Sequence, residues 1–92
     1  MRLQDKVALV TGSSQGIGQG VAIRLAQEGA RVIVNYRSEH DSAKDTEEQI
    51  KAVGGESFSY QADVTKVAEV QAMVAAGVEK FGRIDILVNN AG

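Results

Sequence analysis

Four short apolar runs alternate along this chain with three stretches of helical periodicity, and each of those stretches stops at a glycine. Val7, Ala8, Leu9 and Val10 form the first run. It lacks the polar alternation of a half-exposed strand, so it reads as a strand buried on both faces. Val32, Ile33 and Val34 form the second, Phe58 and Tyr60 mark a weaker strand over residues 56–62, and Ile84, Ile86, Leu87 and Val88 complete the series. The first helical stretch carries Ile17, Val21, Leu25 and Ala26 at helical spacing before Gly29. The second is expected to begin at Ser38, with Asp41 three residues on as a capping-box-like start, and to run through Ala43, Ile50 and Val53 to Gly54 and Gly55. The third, from about Thr65, places Val67, Val70, Val74, Val78 and Phe81 on one expected inward face before Gly82. Glycine ends a helix readily because it accepts a left-handed conformation without a Cβ penalty.

Strand, helix, strand repeated with short connections builds right-handed parallel crossovers, and so a sheet with helices on both faces. The expected fold class is therefore α/β, a doubly wound parallel sheet of four strands and three helices. At 92 residues the chain is read as one domain, with no low-complexity stretch to divide it. A domain of this size buries roughly 60–65 per cent of its surface on folding, which leaves a thin stability margin.

Ten Lys and Arg against twelve Asp and Glu give a formal charge of −2 with the signs interspersed, so no nucleic-acid or membrane surface is expected. The chain has no cysteine and a single histidine, His40, which excludes disulfides, thiol nucleophiles and a histidine metal cluster. His40 reads as a solvated polar residue, and the Lys44-to-Lys51 charge cluster as a solvated helix face with Glu47 and Lys51 four apart. Residues 1–5 mix charges and lack the apolar core of a signal peptide, and no apolar run approaches a membrane span. The expectation is a soluble, cytoplasmic protein.

The stretch TGSSQGIGQG, Thr11 to Gly20, sits where the first strand hands over to the first helix. A loop there must turn sharply, admit close backbone approach and present the free N–H groups of a helix start, which suit a pyrophosphate. Gly12, Gly16 and Gly18 meet the backbone demands, and Ser13 and Ser14 offer hydroxyl donors. A glycine pattern alone would be read as a connecting turn; its position between strand and helix favours a nucleotide. No Lys followed by Ser or Thr comes after the glycines, so it is not a P-loop. Gly20, inside the helix, costs about 1 kcal/mol relative to alanine and either permits close packing on the sheet or has no role.

TGSSQGIG after the first strand, Asp63 and Val64 after the third, and NNAG after the fourth together resemble the N-terminal half of a short-chain dehydrogenase/reductase, a family of NAD(P)-dependent oxidoreductases. The resemblance covers residues 6–92, and VNYRS from Val34 is similar to the bacterial 3-oxoacyl-carrier-protein reductases and glucose dehydrogenases of that family. It implies a Rossmann-type fold with strand order 3-2-1-4. It also implies that Gly12, Ser14, Gly16, Ile17 and Gly18 lie along the diphosphate, and that Asp63, with Val64 beside it, accepts from the adenine amino group. Asn90, Ala91 and Gly92 would follow the ribose and nicotinamide, while Asn89 ties neighbouring strand ends together. From the residues alone Asp63 reads equally as an acid favoured by a helix N-terminus.

An NAD site usually places an acid at the end of the second strand, to accept from the ribose 2′-OH. Tyr36 stands there, followed by Arg37 and Ser38. With no carboxylate to repel a 2′-phosphate and a guanidinium to pair with one, NADP(H) is expected in preference to NAD(H), with NAD(H) also usable. The alternative for Arg37 is a plain exposed loop cation.

The family's proton donor is the Tyr of a YxxxK pair, assisted by a Ser. Here Tyr36 is followed four residues on by His40 and Tyr60 by Val64. The resemblance therefore implies that residues 1–92 are the dinucleotide-binding part of a single Rossmann domain, cut before its catalytic part and inactive alone. The intact enzyme would act on a small carbonyl or alcohol substrate and form a homo-oligomer. The alternatives are a stand-alone nucleotide-binding or interaction module and, more distantly, a non-redox α/β enzyme. With the fourth strand at an open edge, the chain by itself is expected to be marginally stable or self-associating.

Overall fold

The computed structural model describes residues 2–38 and 43–90. Its elements are β1 (Val7–Val10), α1 (Gly16–Gln27), β2 (Arg31–Tyr36), α2 (Lys44–Ala52), β3 (Ser57–Gln61), α3 (Val67–Phe81) and β4 (Ile86–Val88). The four strands form one parallel sheet in the order β3-β2-β1-β4. This is the doubly wound, Rossmann-like arrangement that the alternation of strand and helix requires. Val10 pairs with Val34 on one side and Val88 on the other, so β1, β2 and β4 end close to one level.

Residues of one strand alternate between the two faces of the sheet. On one face Val10, Val32 and Val34 pack with Ala22 and Ala26 of α1 and Ile50 of α2. On the other Val7, Leu9 and Ile33 pack with Met73 and Phe81 of α3, where Phe58 and Phe81 meet edge to face at 5.4 Å. β1, whose four residues are all buried, separates the two cores.

The inward faces of α1 and α3 differ from the expected apolar stripes. In α1 the fully buried positions are Gly18, Ala22 and the expected Ala26; Val21 and Leu25 are only partly buried against the core, and Ile17 is 80% exposed. In α3 they are Met73, Gly77 and Phe81, while Val67, Val74 and Val78 face outward. Small residues at the middle of each contact let the helix axis come close to the sheet. A Cβ on Gly77 would lie 2.3 Å from the Ile33 Cδ1. Met73 is fully buried in this second core.

The start of α2 is also corrected. Ser38 lies in a bend after β2, and the helix begins only at Lys44, with no side-chain cap on Ala43 before it. Asp41, the other half of the expected capping box, and His40 lie outside the described residues. What fixes α2 instead is its buried Thr46, whose hydroxyl lies 2.9 Å from the Ser13 carbonyl and 3.2 Å from that of Ser14. All three helices do end at left-handed glycines, with φ of 102° at Gly29, 81° at Gly54 and 87° at Gly82.

Candidate functional site

The turn between β1 and α1 is built from two left-handed glycines, Gly12 at φ 59° and Gly16 at φ 63°. Every L residue but glycine is strained there. The turn delivers the first residues of α1 with Gln15 at the cap position and no side-chain hydrogen bond to the first-turn amides; that turn contains no acid. Its free N–H groups and the positive end of the helix dipole therefore stand open at the carboxyl end of β1.

The loop is held from three directions. From β2, the Asn35 Oδ1 accepts from the Gly12 N–H at 2.9 Å, and the Asn35 N–H donates to the Ser13 Oγ at 3.0 Å. From α2 comes Thr46, itself joined by the Gln19 Nε2 at 2.9 Å. From the end of β4, the Asn90 N–H donates to the Thr11 Oγ1 at 2.9 Å and the Asn90 Nδ2 to the Gly12 carbonyl at 3.2 Å. Thr11 and Asn89 also meet side chain to side chain at 3.3 Å, the strand-tying role expected of Asn89. Gly18 is needed for this packing: a Cβ there would lie 2.2 Å from the Gly12 carbonyl oxygen and 2.7 Å from the Asn90 Nδ2.

A cleft of about 140 Å³ opens beside the loop, walled by Gly12, Ser14, Gln15, Asn35, Arg37, Ala62 and Val64. Pockets for whole small-molecule ligands run to about 300–1,000 Å³, so this one has room for part of a dinucleotide. Of the residues expected from the sequence, Gly12, Ser14, Arg37 and Val64 line it. Gly16 and Ile17 lie at the exposed start of α1, and Ser38 follows Arg37 in the bend. Ala91 and Gly92 lie outside the described residues.

Asp63 sits at the rim. Its Oδ1 accepts from the Thr65 hydroxyl at 2.6 Å and from the Thr65 N–H at 2.9 Å, and its Oδ2 lies 4.0 Å from the Arg37 Nε. The Thr65 hydroxyl, then the Thr65 amide, then the charges of Arg37 and Lys66 hold its carboxyl below the usual carboxylate range. Asp63 thus does structural work at the entry to α3, with Oδ2 on the side of Arg37.

Sequence reasoning passed over Asn35, Thr46 and Gln15. Asn35 and Thr46 carried a signal: each is a polar side chain at a position whose neighbours in the pattern are core. Among the described residues no helix is long and apolar enough to cross a membrane, and no cluster of three His, Cys, Asp or Glu could hold a metal ion.

A model of the short chain dehydrogenase family matches residues 6–92. The 3-oxoacyl-acyl-carrier-protein reductase FabG of Staphylococcus epidermidis is 52% identical over 88 residues, 96% of this chain and 36% of the relative. An uncharacterised oxidoreductase of Methylorubrum extorquens is 47% identical, over 99% of this chain and 37% of its own length. Among solved structures, a Serratia marcescens short-chain dehydrogenase/reductase superposes with a TM-score of 0.94 at 42% identity, over 100% of this chain and 38% of that one. A hydroxysteroid dehydrogenase from Escherichia coli superposes at 0.92 with 38% identity, over 99% and 38%. The chain therefore spans a little over a third of the length of these relatives.

Proposed function

The chain belongs to the short-chain dehydrogenase family, and from that premise we propose that it forms the dinucleotide-binding part of an NAD(P)-dependent oxidoreductase acting on a carbonyl or alcohol. The observation that carries this reading is the uncapped first turn of α1, standing behind two left-handed glycines where β1, β2 and β3 end around one cleft. Amides at such a helix start are matched to a diphosphate. A Cβ at Gly16 would meet nothing within 4 Å, so the loop leaves open space on its outer side for a ligand.

In this reading the Gly12, Ser14, Gly16, Ile17 and Gly18 segment binds the diphosphate through its backbone. Ile17, at 80% exposure, lays an apolar side chain beside it. Asp63 offers Oδ2 to the adenine amino group, and Val64 forms the apolar wall. Arg37 and Ser38 face a 2′-phosphate, and Tyr36 brings no carboxylate to oppose it, which favours NADP(H) over NAD(H). Asn90, Ala91 and Gly92 continue toward the ribose and nicotinamide. When bound, the nicotinamide supplies hydride transfer; the residues named here bind and orient it. No Tyr in residues 1–92 has a Lys four positions on. This portion is accordingly proposed to bind cofactor without turnover.

Isothermal calorimetry of the protein with NADPH and with NADH tests the proposal. Saturable binding of both, tighter for NADPH, is the expected result, and binding of neither would overturn it.

A further inference from the structure

Asn35 is 2% exposed within a strand whose neighbouring residues Val32, Ile33 and Val34 are all fully buried apolar. A buried carboxamide costs stability unless both its ends are paired, and a hydrophobe of similar volume would serve a core at least as well. The amide must therefore be explained by what it joins. Its Oδ1 accepts from the Gly12 N–H at 2.9 Å, and its Nδ2 donates to the Ala62 carbonyl at 3.1 Å. Longer contacts of 3.4 Å reach the Tyr36 and Tyr60 carbonyls. Gly12 is the left-handed pivot of the glycine loop, and Ala62 is the residue immediately before Asp63. One side chain thus spans the two ends of the cleft, from the turn after β1 to the end of β3, and forms part of the wall between them.

We propose that Asn35 is a positioning residue that fixes the diphosphate-binding loop at a set distance from the adenine-side carboxylate, so that the two halves of a dinucleotide meet one pre-formed surface. The proposal rests on the nucleotide-binding reading above. Binding to a surface already in place avoids the ordering cost that two independently mobile loops would impose. The backbone of the same residue reinforces the link, because the Ser13 N–H donates to the Asn35 carbonyl at 3.0 Å. Losing the carboxamide would take their partner from a partly buried donor on Gly12 and a buried acceptor on Ala62 together.

The test compares the wild-type protein with Asn35→Leu, which is close in volume and lacks both hydrogen-bonding ends. NADPH affinity is expected to fall about ten-fold, and exchange of the Gly12 amide to accelerate by a similar factor, while the strand amides of Val32 and Val34 keep their protection. A loss of global stability alone would move all three amides together. A variant with wild-type affinity and wild-type Gly12 exchange, or one in which the three amides accelerate equally, overturns the proposal. Should the variant fail to fold, the wild type supplies the second measurement. Adenosine 2′-monophosphate, which has no 5′-phosphate to reach the glycine loop, is expected to shift the Gly12 amide resonance on titration. A bound probe that leaves Gly12 unmoved overturns the coupling. A wild-type protein that binds neither NADPH nor this probe overturns the nucleotide reading itself, an outcome distinct from the failure of Asn35 alone.

Discussion

The Arg37 guanidinium and the Asp63 carboxylate face each other across the mouth of the cleft, Nε to Oδ2 at 4.0 Å, with the arginine side chain 77% exposed and the aspartate 20%. A pair so exposed on one side contributes little to stability because solvent and salt screen it. On the proposed reading, a 2′-phosphate entering here would compete for Arg37 with a carboxylate that already has Thr65 as partner. Arg37→Ala should therefore lower NADPH affinity by about ten-fold, from the loss of a charge-assisted contact, and leave NADH affinity nearly unchanged. Parallel calorimetric titrations check the ratio.

Acid stability follows from two carboxyls. Asp85 is held below the usual range first by the Val7 N–H, which donates to its Oδ2 at 2.9 Å, then by Arg83 and the charge of Lys6. Asp63 is lowered in the same direction. For a group whose folded pKa lies below its unfolded value, the stabilisation is complete above the unfolded value and is lost as pH falls through the folded one. Stability should hold down to about pH 4 and decline below the unfolded value of 3.8. Asp85→Asn keeps an acceptor for Val7 and should flatten that decline, as read by urea denaturation at a series of pH values.

The glycines of α1 separate by environment. A Cβ at Gly20 meets nothing within 4 Å, so Gly20→Ala should stabilise by about 0.5–1 kcal/mol through the helix and the unfolded chain. Close packing, considered for Gly20 against the sheet, is found instead at Gly18 against the loop, where a Cβ would lie 2.2 Å from the Gly12 carbonyl oxygen. Gly18→Ala should cost about 1–3 kcal/mol or displace the loop. Thermal melting of the two variants should move in opposite directions, by roughly 4–8 °C per kcal/mol for a domain of this size.

At the open side of the sheet Leu87 is 67% exposed on the edge strand β4, where it lines one shallow cavity with Val74 of α3. Unprotected edges with apolar side chains recruit further strands. Leu87→Lys should raise the monomer fraction of the chain, measured by sedimentation at several concentrations.

Much of this architecture was legible because it depends on order along the chain. Four apolar runs with glycine-stopped helices between them leave few topologies once crossovers must be right-handed, and the glycine loop could be placed by position alone. The inward faces of the helices were less legible. Large apolar residues at helical spacing include Ile17, Val74 and Val78, which are exposed, whereas the contact with the sheet is made by Ala22, Ala26 and Gly77. Close approach of a helix selects for absence of side chain, which an apolar pattern does not register. Asn35 and Thr46 were missed for a related reason: their partners are backbone atoms of a loop brought near only by folding. Near the start of α2 Thr46 likewise bonds the loop, while Ala43 before it brings no side-chain cap.

The exchange of hydrogen bonds between Ser13 and Asn35, with the Thr11 N–H donating to the Val88 carbonyl at 3.0 Å, carries the ladder of the sheet past the last residue of β1 and into the turn. Binding loops are commonly drawn from the segments that open most easily. Here the opposite holds at the root of the loop, which cannot detach without disturbing its neighbours on either side. Opening of the loop root is therefore expected to be tied to opening of the sheet. For a ligand of this cleft, a root held in this way would leave the rate of capture to diffusion and orientation rather than to rearrangement of the loop.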